Sequence, residues 1–398
     1  MPAFVGYLCF KRVDFLRLTL TIDSVMGFLI VYLLTGISCS VLSGCALTVF
    51  ADYAPWVNWL IYLLQLAAWF APILIWRLQN SARMSPRTYG VLAQISYFLF
   101  GFVFLLFAVL ILRDLLWYGA YFLAPRGMVP APYDVAAARL ANWLTLGFLM
   151  LLCAYGVYAA FRLPQVLRYT YMDARIKRPL KALVISDWHI TRLISPQKVA
   201  EKVAFFNALK PDLILMPGDI ADDTPEELGE HLKALKKLQA PAGIYYTVGN
   251  HEIYHNAFVW EAAFAGLGWQ VLHNSGAAVA ESGVYVGGVP DSGGFSVNVA
   301  QAVKNAAANM YRIVLSHQPA AVLQVKPAEV DLLVAGHTHG GQIVPFNFLT
   351  KFGNAGFVAG EYKLQHTTLL LSRGAGYWGP PMRLGAPSDV LLLNLEPY

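Results

Sequence analysis

Four stretches of this chain carry no charged side chain and are each long enough to cross a lipid bilayer: residues 24–50, 53–76, 91–112 and 140–161. A spanning helix needs about 20 apolar residues. Hydrocarbon cannot satisfy an open backbone, so such runs are restricted to helices. A central Arg or Asp would cost about 2.5–3.5 kcal/mol on insertion scales. Charges accordingly stop at the margins, at Asp23, Asp52, Arg77, Arg113, Arg139 and Arg162. Trp56, Trp59, Trp76, Trp117 and Trp143 also fall near segment ends, where aromatic belts form. A soluble core does not use four such runs in succession. A cleaved leader, with Lys11 and Arg12 as its basic region, would account for the first run alone.

Composition divides the 398 residues in two. Mean hydropathy is +0.50 and only 13% of residues are charged, well below ordinary soluble proteins. The apolar excess lies in residues 1–161. All nine histidines follow residue 188, and all four cysteines (Cys9, Cys39, Cys45, Cys153) precede residue 161. The membrane character and the chemistry therefore belong to different halves. No Cys pair has zinc-ligand spacing, and the histidine-bearing half needs no disulfide. The net charge of +5 comes with no basic run interleaved with aromatics, which argues against nucleic acid as a partner.

Lys and Arg set an expected orientation. The flank before the first run carries Lys11, Arg12 and Arg17, the connection near Asp52 carries none, and the next carries Arg77, Arg83 and Arg87. The third carries Arg113, Arg126 and Arg139 over a longer stretch, and the exit carries Arg162, Arg168, Arg175, Lys177, Arg178 and Lys181. The positive-inside rule places both termini and the second half in the cytoplasm, at an inner or plasma membrane. The expected division is a four-helix membrane domain at 1–161, a basic juxtamembrane linker at 162–180 and a catalytic domain at 181–398. The linker, with Tyr169 and Tyr171, is expected at the lipid surface, as a contact with anionic lipid or as a plain stop-transfer flank.

From Lys181 onward, apolar runs at 182–185, 213–216, 244–248, 313–315 and 332–335 read as strands, with further strands at 284–289, 368–371 and 390–395. Helices are expected at 196–209, 225–238 and 299–310, the first two opening on Pro. Alternation of this kind predicts an α/β sandwich. Five of the strands end in Asp187-Trp188-His189, Gly218-Asp219, Gly249-Asn250-His251-Glu252, Ser316-His317 and Gly336-His337-Thr338-His339. Ligands bind where strand ends converge in such folds. A lone buried histidine is ordinarily a satisfied core residue. Seven O and N donors, each closing an apolar run, are not explained by packing, because buried polar groups are costly. Asp187, His189, Asp219, Asn250, His317, His337 and His339 are the expected metal ligands, with Asp219 as the carboxylate between two cations. In extended backbone Asp187 and His189 would point to one side. A sulfur-free N/O set suits two divalent ions, Mn first, with Fe or Zn as alternatives.

Residues 181–398 resemble the calcineurin-like metallophosphoesterase superfamily, and within it the bacterial membrane-associated branch related to UDP-2,3-diacylglucosamine hydrolases. Beyond the five motifs, His317-Gln318-Pro319, Gly340-Gly341-Gln342 and Trp378-Gly379-Pro380-Pro381 carry the likeness. It does not extend to the membrane half. The resemblance implies a four-layer α-β-β-α sandwich, here preceded by an all-α bundle of four transmembrane helices. It implies that Asp187, His189 and His339 hold one metal, that Asn250, His317 and His337 hold the other, and that Asp219 bridges. His251 would face substrate as the general acid, with a metal-ligand or orienting role as the alternative. Trp188 stands where Leu or Thr is common, which puts only the local pocket shape in question. Such a centre hydrolyses phosphoesters, because paired cations can clamp phosphate oxygens and generate hydroxide near neutral pH.

Tethering to a bilayer makes a phosphorylated lipid or lipid-linked nucleotide the expected substrate. The sharpest form is UDP-2,3-diacylglucosamine in lipid A synthesis. The rivals are a soluble substrate with the helices as anchor only, and a non-catalytic sensor or transporter. A transport path would be expected to carry ionisable residues within the spans, and the four runs have none. Glu252, His255 and Asp291 are weaker site candidates. Arg373, in the glycine-bearing stretch 372–376, could approach a substrate phosphate or lie solvated in its loop. Gly293-Gly294 reads only as a turn.

Overall fold

The computed structural model describes residues 15–78 and 85–398, with the side chains of 15–29 outside the described set. The described residues form two compact units. One holds the helices up to Tyr158 together with Gly379–Met382, and the other holds Ala159–Trp378 and Arg383–Tyr398, which contain the sheets.

The first unit has four helices: α1 (Phe15–Thr48), α2 (Pro55–Leu78), α3 (Pro86–Leu123) and α4 (Val135–Phe161). Three stretches among the described residues, Pro55–Ile75, Thr88–Leu123 and Val135–Phe161, are long and apolar enough to cross a membrane. The first expected run, 24–50, falls on α1. The apolar helical stretch described there, Tyr32–Thr48, is shorter than a crossing, and side chains of 24–29 lie outside those described. α3 continues well past the expected end at 112, because Arg113 finds partners. It donates to Asn142 Oδ1 (2.8 Å) and to the Ala46 carbonyl (2.9 Å). Asn142 Nδ2 reaches the Leu47 carbonyl, and Arg139 reaches those of Ala51 and Asp52. These groups satisfy carbonyls at and just beyond the C-terminus of α1, which the helix itself leaves open.

The second unit has twelve strands: β1 (Gln165–Met172), β2 (Leu180–Val184), β3 (Leu213–Met216), β4 (Ile244–Tyr246), β5 (Gln270–Val271), β6 (Ser275–Ala278), β7 (Val284–Val289), β8 (Tyr311–Ser316), β9 (Leu332–Ala335), β10 (Gly360–Lys363), β11 (Thr368–Leu371) and β12 (Asp389–Glu396). Its helices are α5 (Pro196–Ala208), α6 (Gly229–Leu235), α7 (Asn250–Tyr254), α8 (Ala257–Gly266), α9 (Val299–Ala302) and α10 (Phe346–Gly353). The expected helices at 225–238 and 299–310 are thus much shorter than their sequence patterns.

The strands form two six-stranded sheets, ordered β1-β12-β2-β3-β4-β5 and β10-β11-β9-β8-β7-β6. Period-two alternation divides each central strand between two cores. Leu213 and Leu215 of β3 face the core between the sheets, with Val286, Ile313 and Val334. Ile214 and Met216 face the opposite core, with Val203, Phe206, Trp260 and Phe264 of the helices. A third core lies beyond the second sheet, where Val314 and Leu333 meet Val299 and Val322. The layers run helix, sheet, sheet, helix.

The stretch expected as a linker is part of this sandwich. β1 pairs in parallel with β12 over all eight residues, and Tyr169 and Tyr171 pack on the inter-sheet core. Its alternation of half-buried and exposed residues is that of an edge strand, which a count of basic residues conceals. Trp188 is 1% exposed and meets Phe206 edge-on at 5.1 Å, so it fills the helix-side core and does not shape a pocket.

Candidate metal centre

The parallel strands β2, β3 and β4 of one sheet and β8 and β9 of the other deliver the expected ligands just past their C-terminal ends. The connections after β2 and β3 are laced by Asp187 N to Gly218 O and His189 N to Asp219 O, both 3.1 Å. Glycine makes the approach possible. A side chain on Gly218 (φ +98°) would strike the Gly249 backbone, and one on Gly336 would strike Ser186 and Asp187. Five of the seven ligands, Asp187 (φ 48°), His189 (50°), Asp219 (53°), His337 (73°) and His339 (51°), are left-handed. The expected extended Asp187-x-His189 is therefore wrong in backbone terms: both residues turn. Each such residue costs of order 1 kcal/mol or more, a pattern typical of functional sites, and Asp and His tolerate it better than most.

The donor atoms converge in two groups that share Asp219. In one, His189 Nε2 and His339 Nε2 lie 2.9 Å apart, with Asp187 Oδ1 3.5 Å from the latter and Asp219 Oδ2 3.8 Å from the former. In the other, His337 Nδ1 is 3.0 Å from Asn250 Oδ1 and 3.1 Å from His317 Nε2, which is 3.1 Å from Asp219 Oδ2. Imidazole nitrogens aimed at one another require a shared proton or cation between them. Two buried carboxylates, an amide oxygen and four imidazoles are a donor set that fits divalent metal ions. All seven predicted ligands are brought together.

Electrostatics divide the imidazoles. Burial opposes charge on His189, but Asp222, then Asp219 and Asp187, carry it up to about 9. His317 reaches about 10 against burial, drawn by Asp219. Burial, then His317, pushes His337 down to about 3. His339 is held well below the usual range by burial, His189 and Arg383. Asp219 stays well below the carboxylate range despite burial, because His317 and His251 face it.

Around the ligands lies a supporting shell. His317 Nδ1 bonds the Pro217 carbonyl at 2.9 Å. Asp222 Oδ1 is 2.8 Å from His189 Nδ1 and 2.9 Å from His251 Nδ1, so one carboxylate orients a ligand and the proposed acid. His251 is thereby turned with Nε2 toward Asp219, 3.9 Å from Oδ2, and is flanked by the rings of Tyr254 and Trp378. The buried Glu252 carboxylate accepts from the backbone N–H of Asp219, Ile220, Ala221 and Gly249 at 2.6–3.1 Å. Burial, then Asp219, still pushes it up to about 7. Arg383, 1% exposed, reaches His339 Nδ1 at 3.0 Å and the carbonyls of His339, Arg373, Gly376 and Ala386.

Sequence reasoning missed Asp222 and Arg383. Asp222 sits beside Asp223, which only pairs with Arg192, and nothing local distinguishes the two. Arg373, expected to approach a substrate phosphate or to lie solvated, sits in an ordered segment. Its segment is pinned by Ser372 N to Ala335 O and by Ala375 N to Ser186 O, and its Nε is paired with Asp389 Oδ2 at 2.8 Å. Asp291 is buried, held through Oδ1 by Gly293 N and Gln318 Nε2. His255 caps the end of α7, with its pKa lowered by burial.

Comparison with known proteins agrees with this geometry. The family model described as calcineurin-like phosphoesterase matches residues 180–341. A Helicobacter pylori protein named as an uncharacterized metallophosphoesterase is 32% identical over 268 residues, covering 65% of this chain and 72% of that one. A Bos taurus protein named transmembrane protein with metallophosphoesterase domain is 31% identical over 237 residues, covering 54% of this chain and 53% of its own. Among solved structures, a Danio rerio dimetal phosphatase aligns with a TM-score of 0.34 at 11% identity, covering 54% of this chain and 98% of that one, a likeness too loose to carry an argument.

Proposed function

Because the chain belongs to the calcineurin-like metallophosphoesterase family of metal-dependent phosphoester hydrolases, we propose that it is a membrane-anchored dinuclear phosphodiesterase acting on a lipid-linked substrate. The observation that carries this reading is the convergence of six donor side chains around a buried Asp219 in a chain with three apolar helices long enough to span. The sharpest substrate is UDP-2,3-diacylglucosamine, cleaved at its pyrophosphate. The proposed placement is a four-span membrane anchor with the catalytic unit on the cytoplasmic side, as the Lys and Arg pattern favours.

Asp187, His189 and His339 would hold one cation, Asn250, His317 and His337 the other, with Asp219 between. When bound, such a pair supplies Lewis acidity toward phosphate oxygens and an activated water. The chain's own residues do the rest. Asp222 fixes the His251 ring so that Nε2 faces the site, where it can deliver a proton to the departing oxygen. Glu252 holds the backbone around Asp219 and Gly249 rigid. Tyr254 and Trp378 flank the His251 ring.

The test is Mn-dependent hydrolysis of bis-p-nitrophenyl phosphate by detergent-purified protein, followed by UDP-2,3-diacylglucosamine and a water-soluble UDP-sugar. Metal-loaded protein inert toward all three sinks the catalytic reading. Equal turnover of the lipid and soluble nucleotides sinks the lipid reading alone.

A further inference from the structure

The helix that follows the His337–His339 segment is amphipathic in the wrong sense for water. α10 turns its uncharged polar residues inward. Thr350 is 8% exposed and bonds the Phe346 carbonyl, Asn354 bonds the Thr350 carbonyl, and Asn347 packs where any side chain on Gly341 would collide. Its apolar residues face outward: Phe348 is 70% exposed, Leu349 63% and Phe352 92%, with Val344 and Phe346 exposed just before them. α5 in the same unit behaves ordinarily, burying Val199, Val203 and Phe206 and exposing Lys198 and Glu201. Helical spacing puts 348, 349 and 352 on one face, so this is a continuous patch and not scattered single residues. Patches of this kind mark a binding surface.

A bilayer is the occupant that the chain itself supplies. α4, free of charge from Leu140 on, ends at Phe161, and β1 of the catalytic unit begins at Gln165, so the unit cannot leave the lipid surface. Charge agrees. Between Asp331 and Glu361 the only charged side chain is Lys351, and no carboxylate there would repel anionic headgroups. Phe and Leu on one face with Lys beside them is the composition of helices that lie in the interface.

We propose that α10 is an interfacial helix whose Phe348, Leu349 and Phe352 side chains enter the headgroup–acyl boundary. Asn347 packs against Gly341, two residues from His339, so the helix also holds the rim of the metal centre at the lipid surface. The membrane contact stands without the substrate reading. Its consequence, direct uptake of a lipid-linked substrate, rests on that reading.

The experiment uses the full chain in vesicles of phosphatidylethanolamine and phosphatidylglycerol. The four native cysteines are replaced by Ala, and a spin label is placed at Phe348→Cys, Phe352→Cys or, as a water-facing reference, Lys198→Cys. Labels at 348 and 352 are expected to collide with oxygen and to be shielded from a water-soluble nickel chelate, with the reverse at 198. Nickel access at 348 and 352 equal to that at 198 overturns the proposal. So does broadening between copies that vanishes on dilution with unlabelled protein, which would make α10 a self-association face. A second arm keeps the cysteines. Phe348→Ser/Leu349→Ser/Phe352→Ser is expected to lower turnover of a vesicle-embedded lipid phosphodiester by roughly tenfold and to leave bis-p-nitrophenyl phosphate unchanged. Equal loss on both substrates, or no loss on either, counts against the helix as a lipid contact. A wild type inert toward embedded lipid sinks the substrate reading and leaves the label result to decide the membrane contact.

Discussion

At the residue scale, roles that look alike in sequence separate in space. Asn250 and His251 are neighbours, yet Asn250 lies among the donors while His251 is held off them by Asp222. Asn250→Ala is expected to lower bound metal from two equivalents toward one, read by elemental analysis. His251→Ala should retain both and lose about 10²–10⁴-fold in kcat, with less loss for better leaving groups. Full metal loss in His251→Ala would make it a ligand. Asp222→Asn leaves the ring nitrogens of His189 and His251 without their anion, and a 10- to 100-fold fall in activity or metal affinity is about what such partners cost. Wild-type turnover would remove Asp222 from the machinery. Glu252→Ala strips four buried N–H groups of their acceptor and should cost about 2–5 kcal/mol in stability. Unchanged denaturant midpoints would refute that role.

At the element scale, β1 matters more than its basic character suggests. A chain beginning at Lys181 lacks β1 and exposes the β12 edge along eight positions. Open edges aggregate, so that truncation should be insoluble or markedly destabilised, while one beginning at Arg162 folds. Equal melting temperatures would contradict the pairing. Just past β1, Arg175 pairs with Asp173 and, from the connection between β8 and β9, with Asp331, each at 2.7 Å, so it links the two sheets. The Arg175 guanidinium holds the Asp173 carboxyl below its ordinary value. A depressed carboxylate contributes stability above its unfolded pKa, near 4, and loses it as pH falls through the lower folded value. The groups are partly exposed, so solvent reduces the effect to about 0.5–1 kcal/mol. Arg175→Met should flatten the stability–pH curve below about pH 4, as urea titrations would read. An unchanged acid limb would show that the pair does not contribute.

At the scale of the whole molecule, the two units divide the labour. The three sandwich cores draw only on residues from Val166 onward, so the catalytic unit carries its own folding information. The piece from Arg162 to Tyr398 should therefore hydrolyse bis-p-nitrophenyl phosphate at a rate near that of the full chain, and should lose any advantage on vesicle-embedded substrate. Failure to fold would mean that the helices supply stability as well as address.

Much of this was legible in one dimension, because the physics there is local. Charge exclusion from hydrocarbon marks spans, and the spans at 53–76, 91–112 and 140–161 fall on α2, α3 and α4. Short apolar runs mark buried strands, and those at 213–216, 284–289, 332–335 and 368–371 match to the residue. Costly polar groups at strand ends mark a site, and the seven expected donors converge. Tertiary structure alone decided what depends on a distant partner. β1 is a strand because β12 lies beside it, Asp222 differs from Asp223 because two histidines reach it, and Arg383 is buried because carbonyls from several turns surround it. The left-handed turns of Asp187 and His189 are held by the Gly218 and Asp219 carbonyls of the neighbouring connection, and the outward Phe face of α10 is visible only once its uncharged polar residues have found the protein. A sequence records each residue's own preferences; these outcomes were settled by what stood opposite.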